Sequence, residues 1–65
     1  MRIKINGRDQ DIDTGSLTEL IDQMDLPPSS LVVEHNLRLV PQDQWATTRL
    51  EEGDVLELLN FVGGG

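Results

Sequence analysis

The chain has 65 residues, 37% of them apolar, so it can enclose one small core and no second one. A domain of this size buries only about 60% of the surface its unfolded chain exposes, which leaves little room for a deep catalytic cleft. There is no cysteine and only one histidine, which removes disulfides, thiolate ligands, a thiol nucleophile and a self-contained zinc site. Twelve acids against five bases give a formal charge of −7, which repels nucleic acid and suits a basic partner surface.

From the amino terminus, Met1, Ile3 and Ile5 alternate with Arg2 and Lys4, the period of a half-buried strand and not of a signal peptide. Asn6-Gly7 is a hairpin turn signal, because both residues tolerate positive φ. Residues 8–13 return with Ile12 as their one large apolar residue, which describes an edge strand guarded by acids. Ser16-Leu17-Thr18-Glu19 has the spacing of a helix capping box. Leu17, Leu20, Ile21 and Met24 follow as one apolar stripe, and Pro27-Pro28 forbids continuation.

Leu31-Val32-Val33-Glu34 is β-branched and mostly apolar, so a third, better buried strand is expected there. A turn at residues 36–38, a short strand at Leu39-Val40 stopped by Pro41, and a polar loop over residues 42–48 around Trp45 come next. Glu51-Glu52-Gly53-Asp54 makes a tight turn into residues 55–62, the longest apolar stretch and the expected central strand. No apolar run reaches the roughly 20 residues that span a bilayer. A cytoplasmic, monomeric binding or carrier module, meeting neither nucleic acid nor membrane, is the class these features favour.

Strand, strand, helix, strand, short strand, strand is an order with a topological consequence. The first and last strands are both apolar and pair side by side in the middle, the two hairpins lie outside, and the helix covers one face. That is the β-grasp, or ubiquitin-like, α+β architecture: a mixed sheet of four to five strands with one helix packed on it. Its second face is left open. The expected division is a domain over residues 1–62 and a flexible glycine tail over residues 63–65.

No side-chain site suggests catalysis. His35 reads as a surface or turn histidine with no nucleophile beside it, and Glu51, Glu52 and Asp54 as solvated turn residues. Asp9, Asp11 and Asp13 resemble a calcium loop superficially, but the later ligands and the loop glycine are missing. Gly63-Gly64-Gly65 precedes no helix and so makes no phosphate cradle. Three glycines can instead reach about 10 Å through a channel too narrow for any side chain and present one reactive group, the Gly65 carboxylate. A carboxylate is a poor electrophile and has to be activated, most directly as an acyl-adenylate made with ATP. With no cysteine to hold sulfur, a sulfur cargo would sit on that carboxylate as a thiocarboxylate.

Several pieces then fall into one pattern over essentially the whole chain: the Asn6-Gly7 hairpin, the capped helix at Leu17-Thr18-Glu19-Leu20-Ile21, and Val33-Glu34-His35-Asn36. Val40-Pro41 with Trp45 four residues on, Gly53-Asp54-Val55 and Phe61-Val62-Gly63-Gly64-Gly65 complete it. The combination closely resembles the ThiS family, the sulfur carriers of thiamine biosynthesis. The resemblance implies a protein that is a co-substrate and not an enzyme, binding no cofactor or metal of its own. A ThiF-type adenylyltransferase would adenylate Gly65 with ATP and Mg. A cysteine desulfurase persulfide would supply the sulfur, and thiazole synthase (ThiG) would consume it. Gly64 would give the side-chain-free link before the sulfur-carrying Gly65. Gly63 would matter less, since two terminal glycines suffice in the wider family.

The last strand has apolar residues on both faces, Leu56 and Leu58 on one and Val55, Leu59 and Phe61 on the other. Leu59, Phe61 and Val62 are therefore expected to form the partner-binding surface near the tail, with an ordinary core role as the competing reading. Trp45 either anchors the same patch or closes the bottom of the core from its loop. Glu51 and Glu52 are favoured over Glu57 for meeting a basic groove, Glu57 being assigned to the face without Leu59. Two other functions fit the architecture: a molybdopterin synthase small subunit or other sulfur carrier, and a ubiquitin-like modifier or plain interaction module.

Overall fold

The computed structural model describes residues 1–61. Strand β1 (Arg2–Ile5) buries Ile3 and Ile5 and exposes Arg2 and Lys4, as its period of two dictates. Met1 departs from expectation: it precedes the strand, stays exposed, and its ammonium donates to the Ile12 carbonyl at 2.7 Å. Asn6 and Gly7 turn the chain with φ of 51° and 83°, the conformation a two-residue hairpin requires. Strand β2 (Arg8–Asp11) returns antiparallel at the edge of the sheet, wholly exposed and two residues shorter than the sequence suggests.

Helix α1 (Leu17–Gln23) starts at Ser16, whose hydroxyl accepts from the Glu19 N–H at 3.2 Å and donates to the Glu19 carboxylate at 3.1 Å. Leu17, Leu20 and Ile21 are buried against the sheet, while Met24 forms the C-cap and is exposed. A helix of under two turns gains its stability from that packed stripe, not from its own hydrogen bonds. Asp25, at φ 57°, ends it. Pro28–Ser30 then makes one 3-10 turn leading into β3.

Strand β3 (Leu31–His35) and the two-residue β4 (Arg38–Leu39) form the second hairpin, turned by Asn36 and Leu37 at φ 52° and 72°. Val40 falls outside β4, although its N–H still donates to the Val33 carbonyl at 2.9 Å. The stretch expected as a polar loop is a 3-10 helix, Gln42–Thr47, that carries Trp45 into the core. Trp45 is 4% exposed and its Nε1 donates to the Val40 carbonyl at 2.9 Å, which settles its role as packing and hydrogen bonding.

Strand β5 (Val55–Asn60) completes a five-stranded sheet of order β2-β1-β5-β3-β4. It runs parallel to β1, with Lys4 beside Val55 and Ile5 beside Leu56, and antiparallel to β3, from Leu31 beside Asn60 to His35 beside Leu56. The first and last strands thus meet in the middle, with the hairpins outside. Ile3, Ile5, Leu31, Val33, Leu56 and Leu58 line the inner face and pack with α1, Trp45 and Leu50 as one core. The backbone pairing of β1 with β5 ends at the Asn6 turn, and a side chain takes over from it. The Asn6 amide accepts from the Leu58 N–H at 2.8 Å and donates to the Leu58 carbonyl at 3.2 Å, holding β5 as another strand would.

Candidate functional site

The candidate site begins where β5 delivers the chain to its last residues. Alternation along β5 sends Leu56 and Leu58 inward and Val55, Glu57 and Leu59 outward. Leu59 is 55% exposed, and Phe61, one residue beyond the strand, is 53% exposed. The Phe61 N–H donates to the Ser30 carbonyl at 2.9 Å, so the backbone is still tied to the domain at that point. The assignments to Val62, Gly63, Gly64 and Gly65 lie outside the described residues.

Register extends the face in ways the sequence alone did not reveal. Val32 stands directly opposite Leu59, and Leu39 directly opposite Glu34, so both join the outer side. Leu39 is 66% exposed. Glu57, expected on the face without Leu59, lies on the same face as Leu59: residues 57 and 59 are two apart on one strand and must point the same way. It is half-buried beside Leu59, not away from it.

A second cluster sits at the opposite end of β5. His35 Nε2 lies 2.7 Å from Asp54 Oδ2, the Asn36 amide donates to Asp54 Oδ1 at 3.1 Å, and the Glu51 N–H donates to Asp54 Oδ2 at 2.9 Å. Asn36 also accepts from the Val55 N–H at 2.9 Å, so the cluster ties the β3–β4 turn to the start of β5. The expectation of a surface histidine and a solvated Asp54 is therefore corrected. Their side chains are only 21% and 12% exposed, because β3–β5 pairing brings together residues 19 apart in sequence. Glu51 and Glu52 remain exposed, with Glu52 accepting from the Arg2 N–H. This arrangement braces the fold; no nucleophile stands beside it.

Burial by itself would push the Asp54 carboxyl up. The hydrogen bonds from His35, Asn36 and the Glu51 N–H, with the charge of His35, outweigh it and hold the group below the usual carboxylate range. A carboxylate whose folded value is depressed adds stability above its unfolded value of about 3.9, and that stability is lost as pH falls through the folded value. Asp54→Asn is expected to cost about 1–3 kcal/mol at neutral pH. In urea unfolding at several pH values, the gap between wild type and variant should narrow below about pH 4. A gap independent of pH would show that the carboxylate charge is not what matters.

On the helix side, a shallow groove of about 640 Å³ runs between α1 and the 3-10 helix, with Ile21, Leu26 and Trp45 in its lining and Glu19, Asp22 and Asp25 around it. None of the residues singled out near the tail reaches it. Among the described residues no three His, Cys, Asp or Glu side chains converge to hold a metal ion. No helix among them is long and apolar enough to cross a membrane.

Comparison with known proteins agrees with this geometry. A crystal structure of the thiamine biosynthesis protein ThiS from Geobacter metallireducens superposes with a TM-score of 0.86 at 28% identity, covering 100% of both chains. That neighbour confirms the β-grasp fold. The sulfur carrier protein ThiS of Bacillus subtilis is 31% identical over 97% of this chain and 98% of its own. A thiazole synthase of Paramagnetospirillum magneticum is 32% identical over 100% of this chain, which spans only 20% of that protein's length. The model of the ThiS family matches residues 3–65, nearly every position from β1 to the last glycine, and the chain belongs to the ThiS family.

Proposed function

We propose that this protein is a sulfur carrier of thiamine biosynthesis, a co-substrate whose Gly65 carboxylate is the reacting group. The observation that carries the reading is the family match, which runs through residue 65 and so includes the glycine end. Chemistry supplies the steps. The carboxylate attacks the α-phosphorus of Mg-bound ATP on a ThiF-type adenylyltransferase, pyrophosphate leaves, and an acyl-adenylate forms. A cysteine desulfurase persulfide attacks the carbonyl carbon and AMP leaves, giving an acyl disulfide. A thiol then cleaves the sulfur–sulfur bond and releases the thiocarboxylate. Thiazole synthase takes the sulfur, which the thiazole synthase relative supports by carrying a segment like this chain within its own. The cytoplasm, where ATP and the persulfide donor are found, is the proposed site of action. The matches to ThiS proteins favour this reading over a molybdopterin synthase small subunit or a protein modifier.

The test is to incubate the protein with the adenylyltransferase, ATP and a sulfur donor and to measure its intact mass. Replacement of one terminal oxygen by sulfur is expected, and an unchanged mass beside a control carrier that loads would overturn the proposal. Leu59 and Phe61, with Val62 after them, form the proposed docking surface for both enzymes. Leu59→Ala and Phe61→Ala should each raise the adenylyltransferase KM for this protein by about tenfold with kcat little changed, as loss of an exposed apolar anchor does. Unaltered KM for both would remove them from the interface.

A further inference from the structure

Both hairpins of the sheet turn on an asparagine in the left-handed region, Asn6 at φ 51° and Asn36 at φ 52°, and both asparagines hold the main chain of β5. Asn36 does so where β5 begins. Its N–H donates to the Val55 carbonyl at 2.8 Å and its side-chain oxygen accepts from the Val55 N–H at 2.9 Å. Asn6 does so towards the other end. Its N–H donates to the Leu56 carbonyl at 2.9 Å, and its carboxamide bonds both main-chain groups of Leu58, at 2.8 and 3.2 Å. Leu56 and Leu58 are two apart, so their main-chain groups point to the same edge of β5, which β1 covers only as far as the Ile5–Leu56 pair. On the opposite edge the hold continues to Phe61, whose N–H donates to the Ser30 carbonyl, and the Ser30 hydroxyl donates to the Asn60 side-chain oxygen at 2.8 Å. On the β1 edge the Asn6 carboxamide is the last hold among the described residues.

We infer that the Asn6 carboxamide is a positioning residue for sulfur loading, an inference that rests on the carrier function and docking surface proposed above. Leu59 and Phe61 follow Leu58 directly, and the proposed reacting end follows them in sequence. With the carboxamide in place, the Leu58 N–H and carbonyl are satisfied and the end of β5 is ordered before an enzyme binds. Without it those two groups turn to water, the end of the strand is held on one edge alone, and the enzyme has to order it on docking. That cost falls on binding and not on the chemical step, so it raises KM and spares kcat. The turn itself does not require this side chain. Glycine accepts a φ of 51°, and Gly7 completes the bend at 83°. What asparagine adds at position 6 is the hold on Leu58.

The test compares Asn6→Gly with Asn36→Gly, which keep both turns and remove the hold on β5 near its end or at its start. Loading by the adenylyltransferase, ATP and a sulfur donor is followed by intact mass over a range of carrier concentrations, in buffer where circular dichroism shows each variant folded. Asn6→Gly is expected to raise KM for the carrier at least about tenfold with kcat within about twofold. Asn36→Gly, which also releases Asp54, should leave both within about twofold. Amide exchange at Leu58 should be at least about tenfold faster in Asn6→Gly than in Asn36→Gly. If Asn6→Gly does not fold, Asn6→Asp keeps the turn and the bond from the Leu58 N–H. Its KM should rise at least about threefold, and a KM within about twofold of wild type would count against the inference. Equal changes in KM for the two glycine variants would reduce Asn6 to a structural role. Raised KM with unchanged exchange at Leu58 would make Asn6 a direct contact of the enzyme, and either result overturns the inference. If Leu59→Ala and Phe61→Ala raise KM while Asn6→Gly does not, the positioning role alone is wrong. If those two variants also load normally, the docking surface is wrong and this inference falls with it.

Discussion

Deletion of Gly65 should lower the rate of sulfur loading by at least about 100-fold while leaving the urea midpoint of the domain unchanged. The shortened chain still ends in a glycine carboxylate, so the loss does not come from missing chemistry. It comes from reach. One residue fewer draws the carboxylate back by about 3.5 Å relative to the proposed docking face of Leu59 and Phe61. A displacement of even about 1 Å from attack geometry can cost a factor near 100. Gly64→Ala should load poorly as well, since under the proposed function a Cβ would have to enter a narrow channel beside the reacting end, and Gly63→Ala should retain more activity. Intact mass after incubation with the adenylyltransferase, ATP and a sulfur donor reads all three. A truncated chain that gains sulfur at the wild-type rate would show that the last residue is not the carrier.

Leu56→Ala is the counterpart within the fold. Leu56 is fully buried in the central strand, flanked by Ile5 of β1 on one side and His35 of β3 on the other. Removing a side chain from such a site costs about 2–5 kcal/mol. A single core in a chain of this length supplies little more than about 3–5 kcal/mol in all. The variant should therefore be largely unfolded at room temperature without denaturant, as read by circular dichroism and urea titration. Leu59→Ala, three residues on and facing outward, should unfold within about 0.5 kcal/mol of wild type. Equal midpoints for the two variants would mean that the inward and outward assignments of β5 are incorrect.

The elements were legible wherever a local rule determined the outcome. Ile3 and Ile5 alternate with charged residues, Ser16 and Glu19 have capping spacing, and Asn6-Gly7 is a turn with few alternatives. The central placement of β5 followed from its apolar length and the order of elements. What escaped the sequence depended on pairings between distant residues. His35 and Asp54 look like solvated residues until β3 and β5 are set in register. Val32 and Leu39 join the outer face only through their partners across the sheet. The Asn6 amide was legible as a turn residue but not as a hydrogen-bonding substitute for a strand, because its partner Leu58 is 52 residues away. Trp45 left two readings open, since a large aromatic suits both an interface and a core, and burial in the 3-10 helix chose between them. Glu57 is a different case: alternation along β5 alone places it on the face of Val55 and Leu59.

The parallel pairing of β1 with β5 also bears on how the molecule comes into being. β1 and β5, adjacent in the sheet, are the first and the last of the described strands in chain order, so the sheet cannot close until residues 55–60 have been synthesised. Contacts of such long sequence separation slow folding, because a large loop must be ordered before they form. A nascent or interrupted chain that lacks β5 has neither its central strand nor the glycines that follow it. Under the proposed function, completion of the fold would coincide with synthesis of the reacting end, and an activating enzyme that recognises the finished outer face would spend no ATP on fragments.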